Sequence, residues 1–423
     1  MFMIVALVIF AVTYALLLAL PRRRAWIALA SGALFIALGI LPVGDVASAI
    51  DWNVLMMIAG TMGIVSLFID SGMPALMADV LLDRMPNVKW TIVAMAMFAG
   101  IVSAFVDNVA TVLMIAPVAL AIAKKFKISP VAMVIAISVS SNLQGAATLV
   151  GDTTSILLGG YARMDFIDFF VFRGKPGMFW IVECGALLTM LVLLWLFRKE
   201  TQPTSAAEHT KVTDYLPTVL LCGTIVLLIA ASFIPGKPAV TNGLICLSLF
   251  AVGLVVNCIK THSLSELKKP LMDIDFTTLL LLMGLFVVIG GITQAGVIDA
   301  IAALFTKIGG GSLFLIYTLI VWASVLFSAF IDNIPYVATM LPVVQGIAAS
   351  MGVEPYLLYF GLLTGATLGG NLTPIGASAN ITAIGILRRD GYEVKTSDFM
   401  RIGVPFSLTA VVSGYVLLWI FWH

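Results

Sequence analysis

Two stretches of the chain, Ser103-Ala-Phe-Val-Asp-Asn108 and Ser328-Ala-Phe-Ile-Asp-Asn333, place a carboxylate and an amide in the middle of long apolar regions. No Lys or Arg occurs between Lys89 and Lys124, so Asp107 has no basic neighbour along the chain. An Asp at the centre of a membrane helix costs about 2.5–3.5 kcal/mol on insertion scales and is a functional residue by default. Two uses compete for Asp107 and Asp332: binding a cation or proton, and capping a helix that restarts at that point. Asp152 is a third such carboxylate. It has no counterpart in the second half, where Ala377 follows Gly376.

Polar residues gather in two further places, SVSSNLQGAATLVGDTTSI (residues 138–156) and GATLGGNLTPIGASANI (residues 365–381). Gly151, Pro374 and Gly376 break helices. At membrane depth, irregular backbone persists only where protein or a water-filled cavity satisfies it. Such breaks expose helix N-termini, which favour anions, and free carbonyls, which favour cations. Asn142, Thr148, Asp152, Thr153 and Thr154 are candidates to line a first site. Asn371, Thr373, Ser378 and Asn380 are candidates for a second.

These residues need a frame, and composition says what kind. Of 423 residues, 61% are hydrophobic and 11% charged, against about 25% charged in a soluble domain. The fold class is an all-α polytopic membrane protein, because apolar residues come in blocks of helix-spanning length rather than in strand-like alternation. Net charge is +1, and nothing points to nucleic acid. The apolar Met1–Leu20 precedes Arg22, Arg23 and Arg24, the reverse of a signal peptide, and is expected to be a retained span. Other simple spans are expected near 25–43, 52–69, 178–197, 217–234, 239–259, 276–294 and 402–422.

Residues 90–123 and 313–349 do not read as simple spans. From Trp90 to Ser103 a helix reaches about 21 Å, short of the roughly 30 Å hydrocarbon core. Each segment is therefore expected to be a re-entrant hairpin with its tip at the Asp-Asn pair, and 130–160 and 356–387 to be broken helices. With the N-terminus outside and each hairpin making no net crossing, Lys and Arg fall 18 inside and 5 outside, as the positive-inside rule requires.

The same topology exposes a repeat. Asp51, Gly60 and Gly72 recur as Asp275, Gly284 and Gly296 at an offset of 224, and Pro117 and Gly151 as Pro342 and Gly376 at 225. Residues 1–197 form a first repeat and 217–423 a second, joined by a cytoplasmic linker at 198–216. Each has five net crossings, so the two are inverted, an architecture of secondary transporters. Residues 73–85 and 297–308 are expected to be short interfacial helices.

No GxxxxGK[ST], HExxH or GxSxG motif is present, so the chain reads as no enzyme and no ATP-driven pump. The four cysteines and three histidines show no metal-ligand spacing. The expected core contains no Lys, Arg or His, so an anion there would be held by helix N-termini, amides and hydroxyls.

The paired Ser-Ala-Phe-x-Asp-Asn motifs, with SSNLQGAATLVGD and GGNLTPIGASANI, resemble the ion transporter superfamily. They are most similar to its citrate transporter-like branch, with arsenite permeases, NhaD-type sodium/proton antiporters and the melanosomal P protein. The resemblance covers essentially the whole chain. It implies a scaffold and a transport domain, elevator-like alternating access and a homodimer in the inner membrane. It also implies cation sites at Ser103, Asp107, Asn108 with Asn142, Thr148 and Asp152, and at Ser328, Asp332, Asn333 with Asn371, Thr373 and Ser378, the substrate lying between the tips. The chain departs from the branch at Gly151-Asp152-Thr153-Thr154-Ser155, where Gly-Asp-Pro-Pro-Asn is common, and at Gln144, where Gly is common. The expected function is secondary transport of a small anion or oxyacid coupled to H⁺ or Na⁺, without further cofactor; the alternative is a Na⁺/H⁺ antiporter.

Overall fold

A computed structural model describes residues 2–203, 210–262 and 267–423. His209 and the middle of the expected linker fall outside the described residues. The chain is nearly all helical. Its first half holds α1 (Phe2–Ala19), α2 (Arg24–Ala37), α3 (Val46–Ala49), α4 (Trp52–Asp70), α5 (Met73–Leu82), α6 (Val88–Ser103), α7 (Asn108–Phe126), α8 (Val131–Gly145), α9 (Thr153–Ala162) and α10 (Met178–Leu196). Its second half follows the same order with α11 (Leu216–Ser232), α12 (Thr241–Thr261), α13 (Lys268–Met272), α14 (Phe276–Gln294), α15 (Val297–Ile308), α16 (Leu313–Ser328), α17 (Asn333–Met351), α18 (Tyr356–Gly369), α19 (Ser378–Arg389) and α20 (Thr396–Trp422).

The starts of these helices follow local chemistry. Asp51 accepts from the Val54 N–H at 3.0 Å, and Asp275 from the Thr278 N–H at 3.0 Å, as N-cap carboxylates do. The expected span at 25–43 stops earlier, at Ala37, because Gly39 takes a left-handed φ of 68° and Pro42 follows. The last span begins earlier than expected, at Thr396, and continues through Pro405. Among the described residues, eight helices, α14 with its lead-in included, are long and apolar enough to cross a membrane. Large apolar side chains on α1, α10, α11 and α12 are exposed, Ile4 and Val219 among them, as a lipid-facing surface requires.

Packing sorts the helices into two groups. In one, α2 lies along α14 and α4 along α12, with α1 and α11 against them. A Cβ on Gly60 would lie 2.5 Å from the Cys246 backbone, and one on Gly284 2.5 Å from that of Ala28. Only glycine permits these approaches, the device by which membrane helices pack closely. In the other group, α6 packs on α8, α16 on α18 and α10 on α20. The groups meet where α4 touches α9 and α14 touches α17.

Candidate functional site

The chain turns between α6 and α7 at Ala104–Asp107, and between α16 and α17 at Ala329–Asp332. The breaks between α8 and α9 and between α18 and α19 lie against these turns. Thr148 Oγ1 donates to the Ala104 carbonyl and Thr373 Oγ1 to the Ala329 carbonyl, an offset of 225. A Cβ on Gly151 would meet the Ser103 and Ala104 carbonyls at 2.7 and 2.8 Å, and one on Gly376 the Ser328 and Ala329 carbonyls at the same distances. Each break is therefore pressed onto a turn at a point where only glycine fits.

The outcome is a cavity of about 320 Å³ on which the starts of the four helices that follow the turns and breaks converge. Asn108, Val109 and Ala110 of α7, Thr153 of α9, Asn333 and Ile334 of α17, and Ser378 of α19 all line it, together with Asp107 and Asp152. Asp107 caps α7: its Oδ1 accepts from the Val109 and Ala110 N–H groups at 3.0 and 3.2 Å. Asp152, 2% exposed, accepts from Thr154 Oγ1 at 2.6 Å. Among the described residues neither carboxylate has a Lys or Arg partner.

Behind the cavity lies a chain of buried amides. Asn108 donates to Asn142 Oδ1 at 2.9 Å, and Asn142 Nδ2 donates to Asn371 Oδ1 and Asn380 Oδ1 at 2.7 and 3.0 Å. Asn142, Asn371 and Asn380 are fully buried, so they hold the broken helices to one another. Asn333 is 3% exposed, and its Nδ2 has no partner among the described residues. An unpaired buried amide costs on the order of 1–3 kcal/mol, so this donor is available to a ligand at the cavity wall. Ser103 accepts from Ser141 Oγ at 2.9 Å and Ser328 Oγ donates to the Ala366 carbonyl. Thr154 also stands 3.3 Å from Thr367.

Asp332 differs from Asp107. It caps α17 more loosely, 3.5 Å from the Ile334 N–H, and accepts from Ser378 Oγ at 3.0 Å. Its carboxylate is ion-paired with Arg24, the first residue of α2. The expectation that the core holds no basic side chain is corrected here. Charge counting put Arg24 in an inside turn, but the turn at Pro21–Arg23 carries it to the start of α17. Tyr14 of α1 reinforces the contact by donating to the Pro335 carbonyl at 2.8 Å and pairing with Thr339.

Sequence reasoning also missed the far wall of the cavity. Ser66 and Asp70 end α4, and Lys269, Asp273, Asp275 and Thr278 surround the start of α14. Ser66 Oγ donates to Asp273 at 2.6 Å, and Lys269 pairs with Asp70 at 2.5 Å. Asp275 was legible as a cap, yet no local pattern marks it as facing the turns. Gln144, the departure from the family pattern, fills the space opposite Gly100: a Cβ there would lie 2.1 Å from its amide nitrogen. At the equivalent positions Val325 faces Gly369. The two halves thus exchange large and small residues across one contact, conserving volume.

The Citrate transporter family model (CitMHS) matches residues 5–365. Uncharacterized transporter Rv2685 of Mycobacterium tuberculosis (strain ATCC 25618 / H37Rv) is 32% identical over 99% of this chain and 98% of its own length. The Alcanivorax borkumensis YdaH transporter, described as having an unusual topology, superposes with a TM-score of 0.62 at 15% identity, over 89% of this chain and 86% of that one. MtrF of Neisseria gonorrhoeae, described within a class of antimetabolite efflux pumps, gives 0.59 at 15% identity, over 92% and 84%. At that identity these two structures speak to the fold alone. The full-length sequence match, the apolar helices and the fold together make the chain a multi-pass membrane transporter that belongs to the citrate transporter family.

Proposed function

We propose that this transporter is secondary active and carries a small anion or oxyacid, an organic acid or an arsenite-like species, coupled to H⁺ or Na⁺. The observation that carries the reading is the convergence of four helix starts on one cavity beside two carboxylates. A helix N-terminus presents N–H donors and about half a positive charge; α9 and α19 start without a side-chain cap, and the free Asn333 amide adds a donor. These groups suit an anion without any Lys or Arg. Asp107 and Asp152 repel that anion unless a cation or proton neutralises them, which is a physical basis for coupling.

In this reading the turns at Asp107 and Asp332 are tips of re-entrant hairpins in two inverted repeats. The contacts repeated at an offset of 225 support it. The group built on α6, α8, α16 and α18 moves as an elevator against the group of α1, α2, α4, α11, α12 and α14, in a homodimer. The cavity is flanked by Asp70, Lys269 and Asp273, which the charge bias puts inside, so this conformation faces inward.

A second reading, a Na⁺/H⁺ antiporter, is favoured by the same wall: Asp70, Asp107, Asp152, Asp273 and Asp275 face a cavity lined, among the described residues, by a single Lys or Arg, Lys269. Proteoliposome transport decides. Uptake of labelled citrate, dicarboxylates or arsenite under an imposed Na⁺ or proton gradient, lost in Asp107→Asn, is the expected result. Na⁺-driven proton flux with no uptake of any of these selects the antiporter. Activity untouched by both Asp107→Asn and Asp152→Asn removes the site assignment.

A further inference from the structure

We propose that Arg24 is a built-in cation at the second turn: its guanidinium stands where a coupling cation stands at the first, so the second turn binds no coupling cation. The inference rests on the reading of Asp107 and Asp152 as the coupling site.

The two turns are matched in everything except charge. Both carry Ser-Ala-Phe-x-Asp-Asn, both Asp side chains cap the following helix, and both turns receive a threonine hydroxyl from the adjoining break. The first turn then gathers two carboxylates, Asp107 and Asp152, on the cavity wall, and among the described residues neither is paired with a Lys or Arg, the Lys269 of that wall being paired with Asp70. The second gathers one, because Ala377 replaces the second acid, and that one is already paired with Arg24. Asp332 is absent from the cavity wall, whereas its neighbours Asn333 and Ser378 line it.

Charge balance follows from this arrangement. A partly buried carboxylate needs a counter-charge or a proton. At the second turn a guanidinium, which stays protonated throughout the accessible pH range, supplies that charge permanently. A permanent pair takes up no ion and releases none, so it contributes nothing to coupling stoichiometry. Arg24 begins α2, which packs along α14 rather than with the broken helices. The pair therefore also joins the two helix groups.

The test is the melting temperature of the purified full-length protein in detergent, measured across a grid of NaCl concentration and pH, with choline chloride holding ionic strength constant. The slope of melting temperature against the logarithm of cation activity counts cations or protons taken up by the folded state. The wild type is expected to show a slope in Na⁺ or in pH that Asp107→Asn removes. Asp332→Asn is expected to keep that slope even where it lowers the melting temperature. Arg24→Gln is expected to raise it roughly twofold, and Arg24→Gln with Asp332→Asn to restore it. A slope lowered by Asp332→Asn as it is by Asp107→Asn overturns the proposal, and so does an Arg24→Gln slope equal to that of the wild type. A wild type with no slope in either Na⁺ or pH removes the coupling-site reading first, and the inference with it.

Discussion

The first and second turns share a sequence pattern, a cap and a clamped break, yet they meet different surroundings. Asp107 reaches a cavity wall beside Asp152, while Asp332 is held by Arg24 and Ser378. The difference is not written in either turn. Part of it lies in the adjoining break, where Ala377 stands in place of Asp152, and the rest comes from what the other helix group presents: an arginine at the start of α2 on one side, acidic residues around the start of α14 on the other. Duplicated local structure can thus serve two electrostatic purposes when the partner surface is not duplicated.

The sharpest way to break the comparison is at the carboxylates. Asp107→Asn is expected to reduce substrate-coupled flux to background in proteoliposomes while leaving thermal stability nearly unchanged, since Asn caps a helix about as well as Asp. A mutant that loses flux only because it unfolds contradicts that separation. Next come the breaks themselves. Gly151→Ala and Gly376→Ala each drive a Cβ to within 2.6–2.8 Å of three carbonyl oxygens. Each is expected to cost about 3 kcal/mol by denaturant titration, the upper end of overpacking penalties. Unequal losses between the two would show that the halves are less alike than their contacts.

Arg24→Ala comes third. It strands Asp332 without its partner, with an expected cost on the order of 2 kcal/mol. That is below the roughly 3–5 of a fully buried pair, because the Arg24 side chain retains 21% of its accessibility. Arg24→Ala combined with Asp332→Ala should recover much of the loss, and a double-mutant cycle measures how much. The smallest effect is at the outer caps. Asp51→Ala and Asp275→Ala each remove a cap bond worth about 1 kcal/mol, and Asp275→Ala also removes the bond that Asp275 accepts from Thr278 Oγ1. Asp275 also lines the cavity, so Asp275→Ala should alter flux as well as stability, while Asp51→Ala should alter stability alone.

Much of the frame was legible because each signal was local. Apolar blocks marked spans, Asp51 and Asp275 marked helix starts, and Gly151 and Gly376 marked breaks. The paired Asp-Asn motifs marked the two turns, and arm length placed their helices within a few residues of α6, α7, α16 and α17. Of the expected site residues, Asp107, Asn108, Asp152, Thr153, Asn333 and Ser378 line one cavity. Asn142, Asn371 and Asn380 lie behind it as a buried amide chain. Thr148 and Thr373 commit their hydroxyls to the turn carbonyls. That division of labour among polar residues has no sequence signature, because Asn, Ser and Thr look alike whether they face a cavity or a neighbouring helix.

By itself the sequence determined that the chain crosses a membrane many times, where most of its helices start and break, and which carboxylates interrupt its apolar stretches. Hydropathy, capping and helix length act over a few residues and can be read along the chain. Only the tertiary structure decided which charges meet. Arg24 lies 308 positions from Asp332, and Asp107 faces a wall built around α4 and α14. Charge pairing depends on distance in space, and packing sets that distance between helices remote in the chain.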